Sequence, residues 1–289
     1  MDKICKAVAY DGQISVVTMV TTDIVQKARD IHGLSPVCTA ALGRALTAVT
    51  FMAAGLKDKD GKLSVTIRGN GKGGEIVVCG NANLQMRGSI EHPDVELPPN
   101  ALGKLDVSGC VGAEGRMTVV RSMGLKEPYT GSAKLVSGEL AEDFAAYYTF
   151  SEQQPTAMAL GVLVGTDGNV LGAGGVVIQP LPGCSEQALS AVEKILPRLQ
   201  NISAYLKDHT AEEAMQEFFG LQPLETRHPK YECLCSRDYI ERLLLSLGKA
   251  ECEDILKEQG KVSISCQFCN TVYTFDENDI AVLFGGVNE

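Results

Sequence analysis

Four thiols near the C-terminus carry the chemistry that this sequence states most plainly. Cys233 and Cys235 lie in "YECLCSRDYIERL" (231–243), and Cys266 and Cys269 lie in "VSISCQFCNTVYTF" (262–275). Two short cysteine pairs from separate segments can close a tetrahedron around zinc, with sulfur about 2.3 Å from the metal and little loop strain. The spacing predicts a tetrathiolate zinc site with Cys233, Cys235, Cys266 and Cys269 as ligands. A bound iron–sulfur cluster or four unrelated thiols are the alternatives. Thiolates are also what oxidants attack, so the same sulfurs are a candidate redox site. Spacing alone favours the plainer use, an inert structural zinc ribbon.

The elements around these thiols form a small terminal domain, 231–289. Ser236 can cap a helix ending at Gly248, a second helix runs from Ala250 to Gln259 before Gly260, and "KVSISC" and "NTVYTF" make a hairpin around "CQFC". Asp276 and Asp279 cap a last short helix. So few elements bury too little apolar surface to stand alone, and metal binding in small modules supplies on the order of 10 kcal/mol of folding free energy.

Upstream, "IQPLPGC" (178–184) ends a strand-rich texture, and residues 179–230 read as a helical linker. Its helices are "SEQALSAVEKILPRLQNISAYLKD", interrupted by Pro197, and "TAEEAMQEFFG", where Thr210 and Glu213 form a capping box and Gly220 suits the C-terminal cap. The apolar positions Ala188, Leu189, Val192, Ile195, Leu196 and Leu199 must be buried against another part of the chain. A segment without a core of its own has low local stability and suits an order–disorder switch; a plain connector is the other reading.

Residues 1–178 read as a sheet-and-helix body with antiparallel hairpins, which makes the whole chain α+β. Asp11-Gly12, Asp60-Gly61 and Asp167-Gly168 are expected hairpin turns, and Ser35-Pro36 starts an Ala/Leu-rich helix that packs on the sheet. Gly69, Gly71 and Gly74 satisfy a dinucleotide-type glycine pattern, but the following "EIVVCG" is strand-like and offers no helix N-terminus to a pyrophosphate. A glycine-rich hairpin turn is the expectation. His32, His92, His209 and His228 are dispersed, and no nucleophile or phosphate-binding motif is present, so no enzyme is expected and no catalytic residue is assigned.

With 289 residues, 45% of them hydrophobic, the chain can bury an ordinary core. Apolar stretches such as 45–56 are shorter than the roughly 20 residues that cross a bilayer, and "MDKICKAVAY" has no signal-peptide core, so a cytoplasmic protein without a membrane partner is expected. In that compartment ten cysteines are not a disulfide framework. Cys5, Cys38, Cys79 and Cys110 are expected in the core. A net charge of −10, with five Lys/Arg against eleven Asp/Glu from 231 onward, argues against nucleic acid as a partner.

Taken together, "YYTFSEQQPTAMALGVLV" (147–164), "AGGVVIQPLPG" (173–183), "CLCSRDYIERLLLSLG" and "SCQFCNTVYTF" resemble the redox-regulated 33 kDa chaperone family (heat shock protein 33), over nearly the whole chain. The resemblance implies an ATP-independent holdase, inactive when reduced and zinc-bound. Oxidation would form the disulfides Cys233–Cys235 and Cys266–Cys269, release zinc and unfold the linker. It would favour a homodimer and let the protein hold unfolding clients. The competing reading is a zinc-ribbon regulatory or nucleic-acid-binding protein without redox switching. Cys184 and Cys252 fall outside the family pattern, and an accessible Cys252 could scramble nearby disulfides.

Overall fold

The computed structural model describes residues 1–122, 124 and 127–285. They form two compact units, 1–232 and 233–289.

The first unit opens with β1 (Lys3–Ala9) and β2 (Ile14–Val20), a hairpin whose turn places Tyr10, Asp11 and Gly12 at positive φ. Helix α1 (Thr22–His32) follows, then α2 (Pro36–Ala54), started by Ser35, whose side chain accepts the Cys38 amide, and by Pro36 in the first turn. Next come β3 (Lys62–Arg68), β4 (Ile76–Asn81), β5 (Gln85–Ile90), the short α3 (Val107–Val111), β6 (Arg116–Ser122), β7 (Tyr129–Lys134) and α4 (Leu140–Phe150). A second hairpin, β8 (Ala157–Val164) and β9 (Val170–Pro180), turns at Asp167-Gly168. Helices α5 (Glu186–Ile195), α6 (Ile202–Tyr205) and α7 (Ala211–Phe219) lead to two short strands, β10 (Glu225–Arg227) and β11 (Lys230–Tyr231).

The strands make two sheets. One runs β10-β1-β2-β9-β8, antiparallel throughout; the other runs β11-β5-β4-β3-β6-β7, with only β11 parallel to its neighbour. Helix α2 packs against both, so the expected helix on one sheet is a helix between two. A helix apolar on all sides must be buried on all sides. From its expected start at Ser35-Pro36 α2 runs 19 residues to Ala54, and Arg44 within it is held by an ion pair with Glu139. It is long and apolar enough to cross a membrane, but 83% of its apolar window is buried inside the protein.

Period-2 alternation divides the first sheet between two cores. Ile4, Val17, Met19, Ala173 and Val177 face α2, while Cys5, Ala7, Ile14, Val16, Val176 and Ile178 face α5, α6 and α7. The linker helices thus bury their apolar stripe on the sheet's other face, through Ala188, Val192, Leu199, Ile202, Leu206, Ala214, Met215 and Phe218. Leu189, expected inside, is 39% exposed because it lies beside the stripe that Ala188, Val192 and Leu199 share. The capping box holds: Thr210 receives the Glu213 amide and Glu213 receives that of Thr210, and Gly220 closes α7 in the left-handed region. Pro197 breaks α5 into a 3₁₀ turn, Leu196–Leu199. The segment is not helical to its end, since Glu225–Arg227 joins the first sheet beside β1.

One turn expectation changes and one holds. Asp60-Gly61 connects α2 to β3 and is not a hairpin. The glycine-rich segment does join the β3–β4 hairpin, and its glycines serve a close backbone approach. The Gly71 and Gly73 amides donate to the Val111 and Cys110 carbonyls at 3.0 and 2.8 Å, and a Cβ on Gly71 would sit 2.3 Å from the Cys110 oxygen. Gly71→Ala should therefore force backbone apart and destabilise the first unit by about 1–3 kcal/mol, read as a lower urea midpoint. An unchanged midpoint would show that this loop yields freely.

Candidate metal centre

The second unit is built from α8 (Arg237–Leu247), α9 (Lys249–Gln259), the hairpin β12 (Val262–Ser265) and β13 (Val272–Phe275), and α10 (Glu277–Gly285). Ser236 caps α8 through the Tyr239 amide, and Asp276 and Asp279 exchange side-chain-to-amide hydrogen bonds at the start of α10. Its fully buried apolar core is Ile240, Leu244, Cys252, Val262, Phe275 and Ile280. So small a core is marginal for an independent unit and needs a further tie.

The four thiols meet in this unit. The sulfurs of Cys233, Cys235, Cys266 and Cys269 all lie within 4.8 Å of one another, the one group of metal-ligating side chains so gathered among the described residues. Cys235 and Cys269 sulfurs are 3.3 Å apart, and those of Cys233 and Cys266 are 3.6 Å apart. A tetrahedral zinc–sulfur shell has sulfurs about 3.8 Å from one another, given a bond of about 2.3 Å. The donors and their spacing fit a soft tetrahedral metal ion.

Local backbone explains the convergence. Between β12 and β13 the chain reverses in a tight knuckle: the Cys269 and Asn270 amides donate to the Cys266 carbonyl, at 3.4 and 2.8 Å, and Asn270 takes positive φ. This turn puts Cys266 and Cys269 on one side. Cys235 immediately precedes the cap of α8, beside the positive end of that helix, and burial pushes its thiol up all the same. Two residues missed in the sequence complete the surroundings. Tyr273 donates its hydroxyl to the Cys235 sulfur at 3.3 Å, and the Thr271 hydroxyl is 3.2 Å from the Cys269 sulfur. Burial opposes ionisation of Cys269, but its hydrogen bonds with Thr271, Cys235 and Cys266 together outweigh it and hold this thiol below its ordinary range. Burial raises Cys233. In sequence, Thr271 and Tyr273 look like ordinary strand residues, and only the knuckle turns them toward sulfur.

The remaining cysteines stand apart from this group. Cys252 is fully buried beneath α8, with its sulfur 3.9 Å from the Leu244 carbonyl, so the folded unit gives it no access to the four thiols. Cys5, Cys38 and Cys110 are fully buried as expected, whereas Cys79 is only partly so, because it lies on the less covered face of β4.

A two-sheet body joined to a small unit that gathers four thiols defines a class, and comparisons with known proteins agree on which. The family model described as Hsp33 protein matches residues 2–276. The chain is 42% identical to the 33 kDa chaperonin of Desulforamulus reducens over 100% of this chain and 99% of that one. It is also 42% identical to that of Bacillus velezensis over 98% of each. The crystal structure of the 33 kDa chaperonin (heat shock protein 33 homolog) of Thermotoga maritima superposes with a TM-score of 0.90 at 36% identity, covering 98% of both chains. This chain belongs to the Hsp33 family of chaperones.

If the four sulfurs act as one ligand set, the full-length reduced protein should take up one equivalent of Co²⁺ with the intense thiolate-to-metal absorption of a tetrahedral site. Cys266→Ser should weaken that uptake at least tenfold. Chelation should abolish amide-exchange protection in 233–285 while leaving β2 and β9 protected. Unaltered protection after complete metal removal would show that the unit folds on its six-residue core.

Proposed function

We propose that this chain is a redox-regulated, ATP-independent holdase of the cytoplasm, inactive while reduced and metal-bound. The observation that carries this reading is the pairing of two dependent parts: four gathered sulfurs in a unit with six buried core residues, and a linker whose core is shared entirely with the first sheet. We divide the chain accordingly into a body (1–178), a linker (179–230) and a switch (231–289).

Zinc held by Cys233, Cys235, Cys266 and Cys269 would fix four thiolates in one tetrahedron and supply the folding free energy that the switch's core lacks. Oxidation of these thiolates to Cys233–Cys235 and Cys266–Cys269 disulfides removes all four donors. Without them α8, α9 and the β12–β13 hairpin lose the support that their small core cannot replace. The chain leaves the second sheet at Glu232, whose amide donates to the Met86 carbonyl, and reaches Cys233 one residue later. Loss of order in the switch therefore frays β11, then β10, then α7.

Release of α5–α7 bares the face formed by Cys5, Ala7, Ile14, Val16, Val176 and Ile178. A contiguous apolar face of this kind binds unfolding proteins without reading a sequence motif, and it favours association of two copies. Clients and a second oxidised protomer are thus the expected partners. The reading needs no residue that acts chemically on a client, and no nucleic acid.

The test follows aggregation of a heat-unfolding client by light scattering, with reduced zinc-loaded protein set against hypochlorite-treated protein. Suppression only after oxidation, accompanied by loss of one zinc and four thiols per chain, is the expected result; equal suppression in both states would sink the switch. Met215 is fully buried in the linker–sheet core, so Met215→Ala should weaken linker docking by about 2–5 kcal/mol and lower the temperature at which oxidised protein becomes active. An unshifted activation temperature would mean that linker release is not the limiting step.

A further inference from the structure

A second pair of thiols lies in the first unit. Cys38, in the first turn of α2, and Cys110, in α3, are both fully buried, with sulfurs 4.0 Å apart. The contact is built by the backbone around it. The Gly73 amide binds the Cys110 carbonyl at 2.8 Å, and a Cβ at position 73 would come within 2.7 Å of the Cys110 sulfur, so glycine there leaves room for the thiol. The other side is closed by the Cys38 sulfur donating to the His92 carbonyl at 3.3 Å. No other cysteine is involved, and the four C-terminal thiols belong to a different unit.

We propose that Cys38 and Cys110 are a second redox-active dithiol, which oxidants of the peroxide class convert to an intramolecular disulfide when the cover over them opens. A disulfide needs the sulfurs about 2.0 Å apart, so from the 4.0 Å contact each has to move by about 1 Å. Cys38 is the attacking thiol. It stands at the positive end of α2, and the hydrogen bond from Cys110 chiefly holds it below the ordinary thiol range, while Cys110 as donor is held above it.

The chemistry balances in two steps. The Cys38 thiolate attacks one peroxide oxygen; a sulfur–oxygen bond forms, the oxygen–oxygen bond breaks, and the departing hydroxide takes a proton to become water. The Cys110 sulfur, giving up its proton, then attacks the sulfenic sulfur; the sulfur–sulfur bond forms and the hydroxyl leaves as a second water. Two thiols lose two electrons and the peroxide gains them.

Access comes from the segment above. Residues 91–106 are neither helix nor strand, and Glu91, His92, Asp94 and Glu96 are exposed. Local opening of so irregular a stretch needs far less than global unfolding and grows with temperature. The dithiol therefore responds to oxidant combined with heat, and its product ties α2 to α3 across the glycine-rich loop. This inference stands apart from any metal held by the C-terminal thiols.

Full-length protein is treated with hydrogen peroxide at room temperature and again just below the unfolding midpoint of the first unit, then denatured, alkylated and digested without reduction. The expected result is a Cys38–Cys110 linked peptide, lighter by two hydrogens than the sum of its parts, formed several-fold faster at the higher temperature. Cys110→Ser should instead leave a Cys38 sulfenic acid that dimedone traps. The wild-type peptide map decides the matter even if that variant fails to fold. Cys38 and Cys110 both remaining alkylatable at both temperatures, or either one linked to a different cysteine, would overturn the proposal.

Discussion

The structure depends on a strand that is apolar on both faces. All seven residues of β2 are buried, with Val17 and Met19 turned to one core and Ile14, Val16 and Val20 to the other. A sheet built around such a strand needs two covers, as parallel sheets in α/β proteins do. One cover is α2, a helix of 19 residues locked between two sheets. The other is α5–α7, short helices broken at Pro197 whose apolar residues share one core with the sheet's other face. The two covers differ in what holds them. Helix α2 shares its core with both sheets and cannot leave without dissolving the unit, whereas the linker helices shield one face of one sheet.

That asymmetry was half legible in the sequence. The caps Ser35, Thr210 and Ser236 all work locally, through one hydroxyl and one amide three residues on, and local rules find them. The strand turns at Asp11-Gly12 and Asp167-Gly168 are legible for the same reason. What the residues alone do not show is which partner an apolar face takes. "ISVVTMV" lacks the alternation of a half-exposed strand, which signals burial on both sides, but nothing in it says that residues nearly two hundred positions later supply the second cover. Asp60-Gly61 misleads because a tight turn looks the same whether a strand or a helix precedes it.

The candidate site follows the same division. Cys-x-Cys and Cys-x-x-Cys spacing fixes the ligand types within each segment, and the hairpin carries the second pair into a knuckle by backbone hydrogen bonds alone. Tyr273 and Thr271 escape notice because their role is set by where the knuckle points them. Cys38 and Cys110 escape it for a stronger reason: seventy-two positions separate them, neither has a neighbouring cysteine, and each reads as an ordinary small apolar residue of its own element.

Depth decides what each thiol can do. Cys233, Cys235 and Cys269 are only partly buried, in a unit with little core, so an oxidant reaches them in the folded protein. Cys252 lies in that unit's core, out of an oxidant's reach while the unit is folded. In the proposed switch that burial would keep it from exchanging with each disulfide as it formed. In the proposed holdase the body has to stay folded while switch and linker lose order. Cys38 and Cys110 lie fully buried in that body, and the proposed bond between α2 and α3 would strengthen it under heat and oxidant combined.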